Sequence, residues 1–190
     1  ETSYYHKSIG GYHAAKLRRY KELIEAHIAP EMQAAFKAIA DAGGDMNQVK
    51  GDSVYPVLNM LNAKYFILPL QSGKTLPVEN PCVYGNAWFV NDVQFVDNAN
   101  AELNALSKLD LRHVAVADAK FREQLKPVAG TASDDSTSVV SITAYEPNHL
   151  TYDVKSDKGG VIVFSEIYYP GWTAAVDGEP VEVGRANYVL

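Results

Sequence analysis

A chain of 190 residues, 47% of them apolar, can bury the core of one domain or of two small ones and is too apolar for wholesale disorder. Its 17 basic against 23 acidic residues leave a net charge of −6, which excludes a general nucleic-acid binder because phosphates need Lys and Arg to neutralise them. One cysteine, Cys82, excludes an intrachain disulfide, and no run reaches the roughly 18 apolar residues of a membrane span.

The best apolar run, Val57–Leu70, is broken by Asn59, Asn62 and Lys64. No secretory signal is evident, and the chain begins with Glu and ends inside a β-rich run. These features predict a segment of a longer polypeptide. Cys82 has no basic neighbour in sequence, so a buried, inert thiol is expected.

The first quarter reads as helical. Leu17, Tyr20, Leu23, Ile24, His27 and Ile28 recur at helical spacing, with Lys and Arg on the other faces. Pro30 suits the first position of a second helix, which carries Met32, Phe36 and Ile39 and stops at Gly43-Gly44. Asp52 or Ser53 suits the cap of a third helix, with Val54, Val57, Leu58 and Leu61 inward. Lys64–Leu70 reads as a buried strand ended by Pro69. Ala87–Val90 and Val93–Val96 read as strands joined by a turn at Asn91-Asp92, and Asn100–Leu106 as a short helix. His113–Ala117 reads as a strand, followed by a helical turn capped by Asp118. Strand and helix alternate here, as in a small α/β layer.

Residues 129–138 form a polar loop of small residues, after which the pattern is all-β. Val139–Tyr145 and Leu150–Ser156 flank a turn at Glu146–His149. A hairpin turn is expected at Asp157–Gly160, then a strand over Val161–Tyr169. A Pro170-Gly171 corner, a strand, a turn at Asp177-Gly178 and a further strand complete the pattern. The fold class predicted is α+β. A helical N-terminal layer with a small mixed α/β segment precedes an antiparallel β-sandwich, which the abrupt ending would leave incomplete. The corresponding division is 1–128, a linker loop 129–138, and 139–190, unless all three make one compact domain.

Four stretches, "SYYHKSIGGYHAAKLRRY" (Ser3–Tyr20), "VLNMLNAKYFI" (Val57–Ile67), "NPCVYGNAWFV" (Asn80–Val90) and "FSEIYYPGWTAAVDGEPVEVGRANYVL" (Phe164–Leu190), resemble the extracytoplasmic C-terminal region of bacterial YfhO-type polytopic membrane proteins. That family is similar to membrane glycosyltransferases that draw sugars from polyprenyl-phosphate carriers. The resemblance implies a non-catalytic domain on the extracytoplasmic face of the bacterial cytoplasmic membrane, serving glycosyl transfer to the cell envelope. Its implied partners are the membrane part of the same polypeptide and a lipid-linked sugar or envelope glycan, with no nucleic acid. No cofactor and no metal are implied. The family's acidic catalytic residues are expected in loops between membrane helices, so none is carried onto this sequence. The resemblance also implies that further strands follow Arg185–Leu190, leaving an apolar strand edge near Leu190 open to pairing with another copy.

Two stretches carry candidate binding residues. Around Gly10-Gly11 lie Tyr4, Tyr5, Tyr12 and Tyr20, with Arg18 and Arg19 close behind. Tyrosine offers a face to a sugar ring, arginine forks onto a pyrophosphate, and Gly-Gly lets a ligand approach. The plainer reading is that the aromatics pack the helix and the arginines are solvated. In "YYPGW" (Tyr168–Trp172), Trp172 with Tyr168 or Tyr169 offers a stacking platform for glycans; the plainer reading is a corner with a buried Trp. An independent glycan-binding module and a purely structural or oligomerisation domain are therefore the alternatives.

Other motifs are weaker. "SGKT" (Ser72–Thr75) mimics the tail of a phosphate-binding loop, but Leu68 stands where that motif needs Gly, so Lys74 is assigned to a turn. His6 and His13 lack further ligands at metal spacing; His27, His113 and His149 fall in separate elements. No nucleophile elbow surrounds Ser165, and Asp134-Asp135 sit in a polar loop.

Overall fold

The computed structural model describes residues 8–10, 17–70, 72–125 and 138–190. The chain divides into two units, Glu1–Val83 and Tyr84–Leu190. The α+β class is as expected: a helical N-terminal region followed by strands that pair mostly antiparallel.

In the first unit, α1 (Arg18–Leu23), a π-helical turn (Ile24–Ile28) and α2 (Ala29–Asp41) follow without a break. Pro30 stands in the first turn of α2, as expected; what the structure corrects is the expected break before it. A proline inside a helix lacks an N–H and its ring collides with the carbonyl four residues back. Here the turn before it is widened: the Ala29 N–H reaches the Ile24 carbonyl, five residues back, which relieves the collision. Leu23, His27, Ile28, Glu31, Ala35 and Ile39 are buried along one stripe of this run. It ends as predicted at Gly43 and Gly44, both at positive φ, where the Gly44 N–H returns to the Ile39 carbonyl.

The expected third helix is split into α3 (Gly51–Val54) and α4 (Pro56–Met60), with Tyr55 non-helical between them. Strands β1 (Tyr65–Pro69) and β2 (Thr75–Glu79) then form an antiparallel hairpin. Of β1 only Phe66 is buried, its ring edge-on to Tyr55 at 5.1 Å, so the strand is not the buried one expected. Lys74 lies in the connection between the strands, where its carbonyl accepts the Leu70 N–H.

In the second unit, β3 (Ala87–Val90) and β4 (Asp92–Val96) do not pair with each other. One residue separates them, too few for a hairpin, and the N–H groups of Asn91 and Asp92 are both drawn to the His113 carbonyl. The chain thereby switches ladders. β4 pairs in parallel with β5 (Val114–Asp118), and α5 (Ala99–Ala105) connects the two strands. The Asn98 side chain caps α5 by accepting the Ala101 N–H. Asp118 caps the 3₁₀ turn Ala119–Phe121, which leads into α6 (Arg122–Leu125).

Hairpin β6 (Val139–Glu146) and β7 (His149–Lys155) turns at residues 147–148, as predicted. The Asp157–Gly160 turn makes no hairpin, because β8 (Val161–Phe164) pairs with β3. Segments on both sides of residues 129–138 therefore share one ladder. β3 also lies beside β6, and Phe164 of β8 meets Tyr152 of β7 edge-on at 5.0 Å. Strands β9 (Ala174–Val176) and β10 (Glu179–Val181) form the last hairpin, with Asp177 and Gly178 at positive φ in its turn.

The final six residues correct the expectation of a strand with an open edge at Leu190. Arg185–Leu190 are all buried and form a closed turn. Ala186 and Leu190 exchange both backbone hydrogen bonds, with Asn187 and Tyr188 at positive φ between them.

Candidate functional site

Tyr4, Tyr5 and Tyr12 lie outside the described residues, as do His6, His13, Asp134 and Asp135. Arg18 is solvated on α1 and forms an i,i+4 ion pair with Glu22 at 2.9 Å. Arg19 is partly buried. The Tyr20 hydroxyl donates to the Ile9 carbonyl at 2.7 Å, and burial pushes it up to about 12. That bond ties the Ser8–Gly10 stretch to the helix. A side chain at Gly10 would meet nothing within 4 Å, so this glycine makes no close approach.

The Tyr168–Trp172 corner is the better-defined candidate. The Tyr168 N–H donates to the Val189 carbonyl at 2.8 Å, and its ring stands edge-on to Phe121 at 5.9 Å. Tyr168 thus anchors the corner. Tyr169 points into solvent at 52% exposure, and Trp172 is 36% exposed. The indole N–H of Trp172 donates to the Ile167 carbonyl at 3.3 Å, which fixes the ring against its own turn. Gly171 has φ +135, which lets the chain fold back at this point. Trp172 is therefore neither fully buried nor free: one edge is bonded and part of its surface faces water.

Joined to the corner through Val189 and Phe121 is a buried polar latch that sequence reasoning missed. Glu102 of α5 is fully buried. Its Oε1 accepts the Tyr188 N–H at 3.2 Å, and its Oε2 accepts from Arg185 Nη2 at 3.2 Å. Arg185 lies 4.0 Å from Asp118 and stacks over the Phe121 ring at 5.3 Å. Asn187 Oδ1 accepts the Val116 N–H, and the Asn187 N–H donates to the Val116 carbonyl. The closing turn is thus bonded to α5, β5 and the corner.

The first unit holds a second buried carboxylate. Glu31 accepts the N–H groups of Val57 and Leu58 at 3.1 and 2.9 Å, so α2 caps α4 from a distance. Burial raises this carboxyl to about 7, and the two N–H bonds pull it back only in part. Nearby, the Asn80 amide donates to Asn59 Oδ1 and the Ala63 carbonyl, while Asn80 Oδ1 accepts the Cys82 N–H. Asn59 donates to Asp52 at 3.3 Å, the contact made by the residue expected as a cap. Cys82 is half-buried rather than fully buried. A Cβ on Gly51 would stand 2.7 Å from both Cys82 Sγ and Tyr55 Oη, so only glycine fits there. Burial, with the neighbouring Cys82 and Asp52, pushes the Tyr55 phenol up to about 12.

Both glutamates had a sequence signal. Glu31 falls on the stripe Ile24, Ile28, Ala35, Ile39, and Glu102 on the face of Ala105 and Leu106. A carboxylate at an apolar register position marks a buried acceptor.

His27 is buried, while His113 and His149 are exposed. His113 Nδ1 lies 2.9 Å from Asp110. Among the described residues, no group of three His, Cys, Asp or Glu side chains could hold a metal ion, and no helix is long and apolar enough to cross a membrane. Compared with known proteins, the chain matches no family model, no curated protein and no solved structure.

Proposed function

We propose that this chain is a non-catalytic extracytoplasmic module of a YfhO-like membrane protein, scaffolding polyprenyl-phosphate-linked glycosyl transfer to the cell envelope. The observation that carries the reading is the use made of one of the four stretches that together bear the family likeness. In Phe164–Leu190 the distinctive polar groups are turned inward: Arg185 and the Tyr188 N–H to Glu102, Asn187 to Val116, the Tyr168 N–H to Val189. The motif works as a folding latch, as a supporting domain requires. The sugar-handling residues then belong to the membrane part of the polypeptide.

Two experiments test this. The 190-residue chain, incubated with a polyprenyl-phosphate-linked sugar, should neither consume it nor transfer it; turnover would refute the reading. In a membrane protein carrying this segment, Asn187→Ala should lower the folded amount and leave transfer per folded molecule unchanged. Lower transfer per molecule at an unchanged amount contradicts a scaffold.

The exposure of Tyr169 and Trp172 favours a second reading, a glycan-binding module. Titration with cell-envelope glycan fragments should then perturb the Trp172 indole signal in NMR spectra. An unperturbed Trp172 across all fragments removes this reading.

A further inference from the structure

The β1–β2 hairpin is apolar on both sides. Residues paired across an antiparallel ladder share a face. One face therefore carries Tyr65, Ile67, Pro69, Thr75, Pro77 and Glu79, all exposed. The other carries Phe66 and Val78 at its inner end, then Leu68 and Leu76 toward the connection. Only the inner end is covered. Tyr65, Ile67, Leu70 and Leu76 are 42% to 58% exposed, on both faces. Covering such an element on one side leaves the other in water, so a flat protein partner fits it poorly.

The edges point the same way. The Leu70 N–H bonds to the Lys74 carbonyl and the Asn80 N–H to the Lys64 carbonyl. Alternation of antiparallel pairs then makes Ile67–Pro77 and Pro69–Thr75 non-hydrogen-bonded pairs, whose main-chain groups face outward. Pro69 and Pro77 thus stand where an N–H would project from each free edge. They block strand addition, which argues against a second copy pairing here. They also remove two of the four outward-facing donors in these pairs; the Ile67 and Thr75 N–H groups remain, for the hydrated headgroup layer to satisfy.

Charge supplies the last element. Lys64 at the base and Lys74 at the connection are exposed, and Glu79 at the base is the one acidic residue between positions 64 and 79. A locally basic, two-faced apolar element stands out on a chain of net charge −6.

We propose that the β1–β2 hairpin inserts its outer half into the interfacial layer of an anionic phospholipid bilayer, with Lys64 and Lys74 on the headgroups. A bilayer interface covers both faces at once. From Ile67 to Leu70 the strand advances about 10 Å, which matches the roughly 5–10 Å depth of the headgroup–acyl boundary. The inference stands on the hairpin alone and is independent of the family reading.

The test is co-sedimentation of the 190-residue chain with vesicles of phosphatidylglycerol and phosphatidylcholine in equal parts, and with phosphatidylcholine alone. The chain should bind the mixed vesicles. The triple variant Ile67→Ser, Leu70→Ser, Leu76→Ser should weaken partitioning by about tenfold or more, since each loss removes part of the inserted apolar area. Its circular dichroism and unfolding midpoint should be unchanged, because these side chains are exposed. The pair Lys64→Gln, Lys74→Gln should weaken binding to the mixed vesicles and remove its salt dependence. Absence of wild-type binding overturns the proposal. So does equal binding by the triple variant, or self-association that the triple variant abolishes without any vesicle binding.

Discussion

Glu31 makes the stability of the first unit depend on pH in a direction opposite to most carboxylates. Its folded-state value is about 7 against an ordinary 4.5, with burial the larger cause and the Val57 and Leu58 N–H groups opposing it. A raised carboxyl binds its proton more tightly folded than unfolded. Stability must then fall as pH rises from about 4.5 to about 7, and level off above. Linkage between pH 5 and pH 8 gives a loss of about 2.5 kcal/mol from this one group. Glu31→Gln removes the titration. It also places an amide NH₂ opposite one of the two N–H donors, at a constant cost of about 1–3 kcal/mol. Comparison of slopes separates the two effects. Urea unfolding followed by circular dichroism at 222 nm, which weights the helical first unit, should show the wild type losing about 2.5 kcal/mol more than Glu31→Gln between pH 5 and pH 8. Parallel pH profiles would refute the reasoning and mean that the two N–H bonds cancel the effect of burial.

The latch of the second unit predicts that Glu102→Ala or Arg185→Ala destabilises by about 3–5 kcal/mol, because each removes one member of a buried ion pair. Trp88 and Trp172 both report on this unit, so denaturant titration by fluorescence measures the loss. Gly160→Ala should cost about 1–3 kcal/mol: φ is +148 and the new Cβ would stand 3.1 Å from the Phe89 ring. Gly10→Ala, with nothing within 4 Å of its Cβ, should stay within about 0.5 kcal/mol of the wild type. Trp172→Ala should leave the second unit folded and lower its stability by about 1–2 kcal/mol, since it loses one bond and partial burial; a collapse of the fold would mean the corner is core.

What was legible in the sequence is what local chemistry decides. Gly43-Gly44 stops a helix because left-handed φ ends the hydrogen-bond ladder within the next two residues. Asp118 caps because its side-chain oxygen reaches an N–H two residues on. Asp177-Gly178 turns a hairpin because both residues tolerate positive φ. Each interaction spans a few positions, so the residues that make it stand together. The misread elements fail at longer range. Ala87–Val90 is a strand by pattern, but that Val161–Phe164 is its partner depends on seventy intervening residues. A π turn before Pro30 leaves no mark on apolar spacing, so one helical run reads as two. In the candidate sites, the Tyr-rich and Trp-containing stretches drew attention by composition, while the latch is built from single residues far apart: Glu102, Arg185 and Asn187. Long-range polar contacts still impose a local constraint, because a buried acceptor must occupy an apolar register position. Glu31 and Glu102 both do, and both accept main-chain N–H groups far away in sequence; at α4 the neighbouring Tyr55 supplies no side-chain cap. A charged residue on an otherwise apolar helical stripe is thus a prediction of remote capping. In this chain it identifies the two carboxylates whose loss should matter most to the fold.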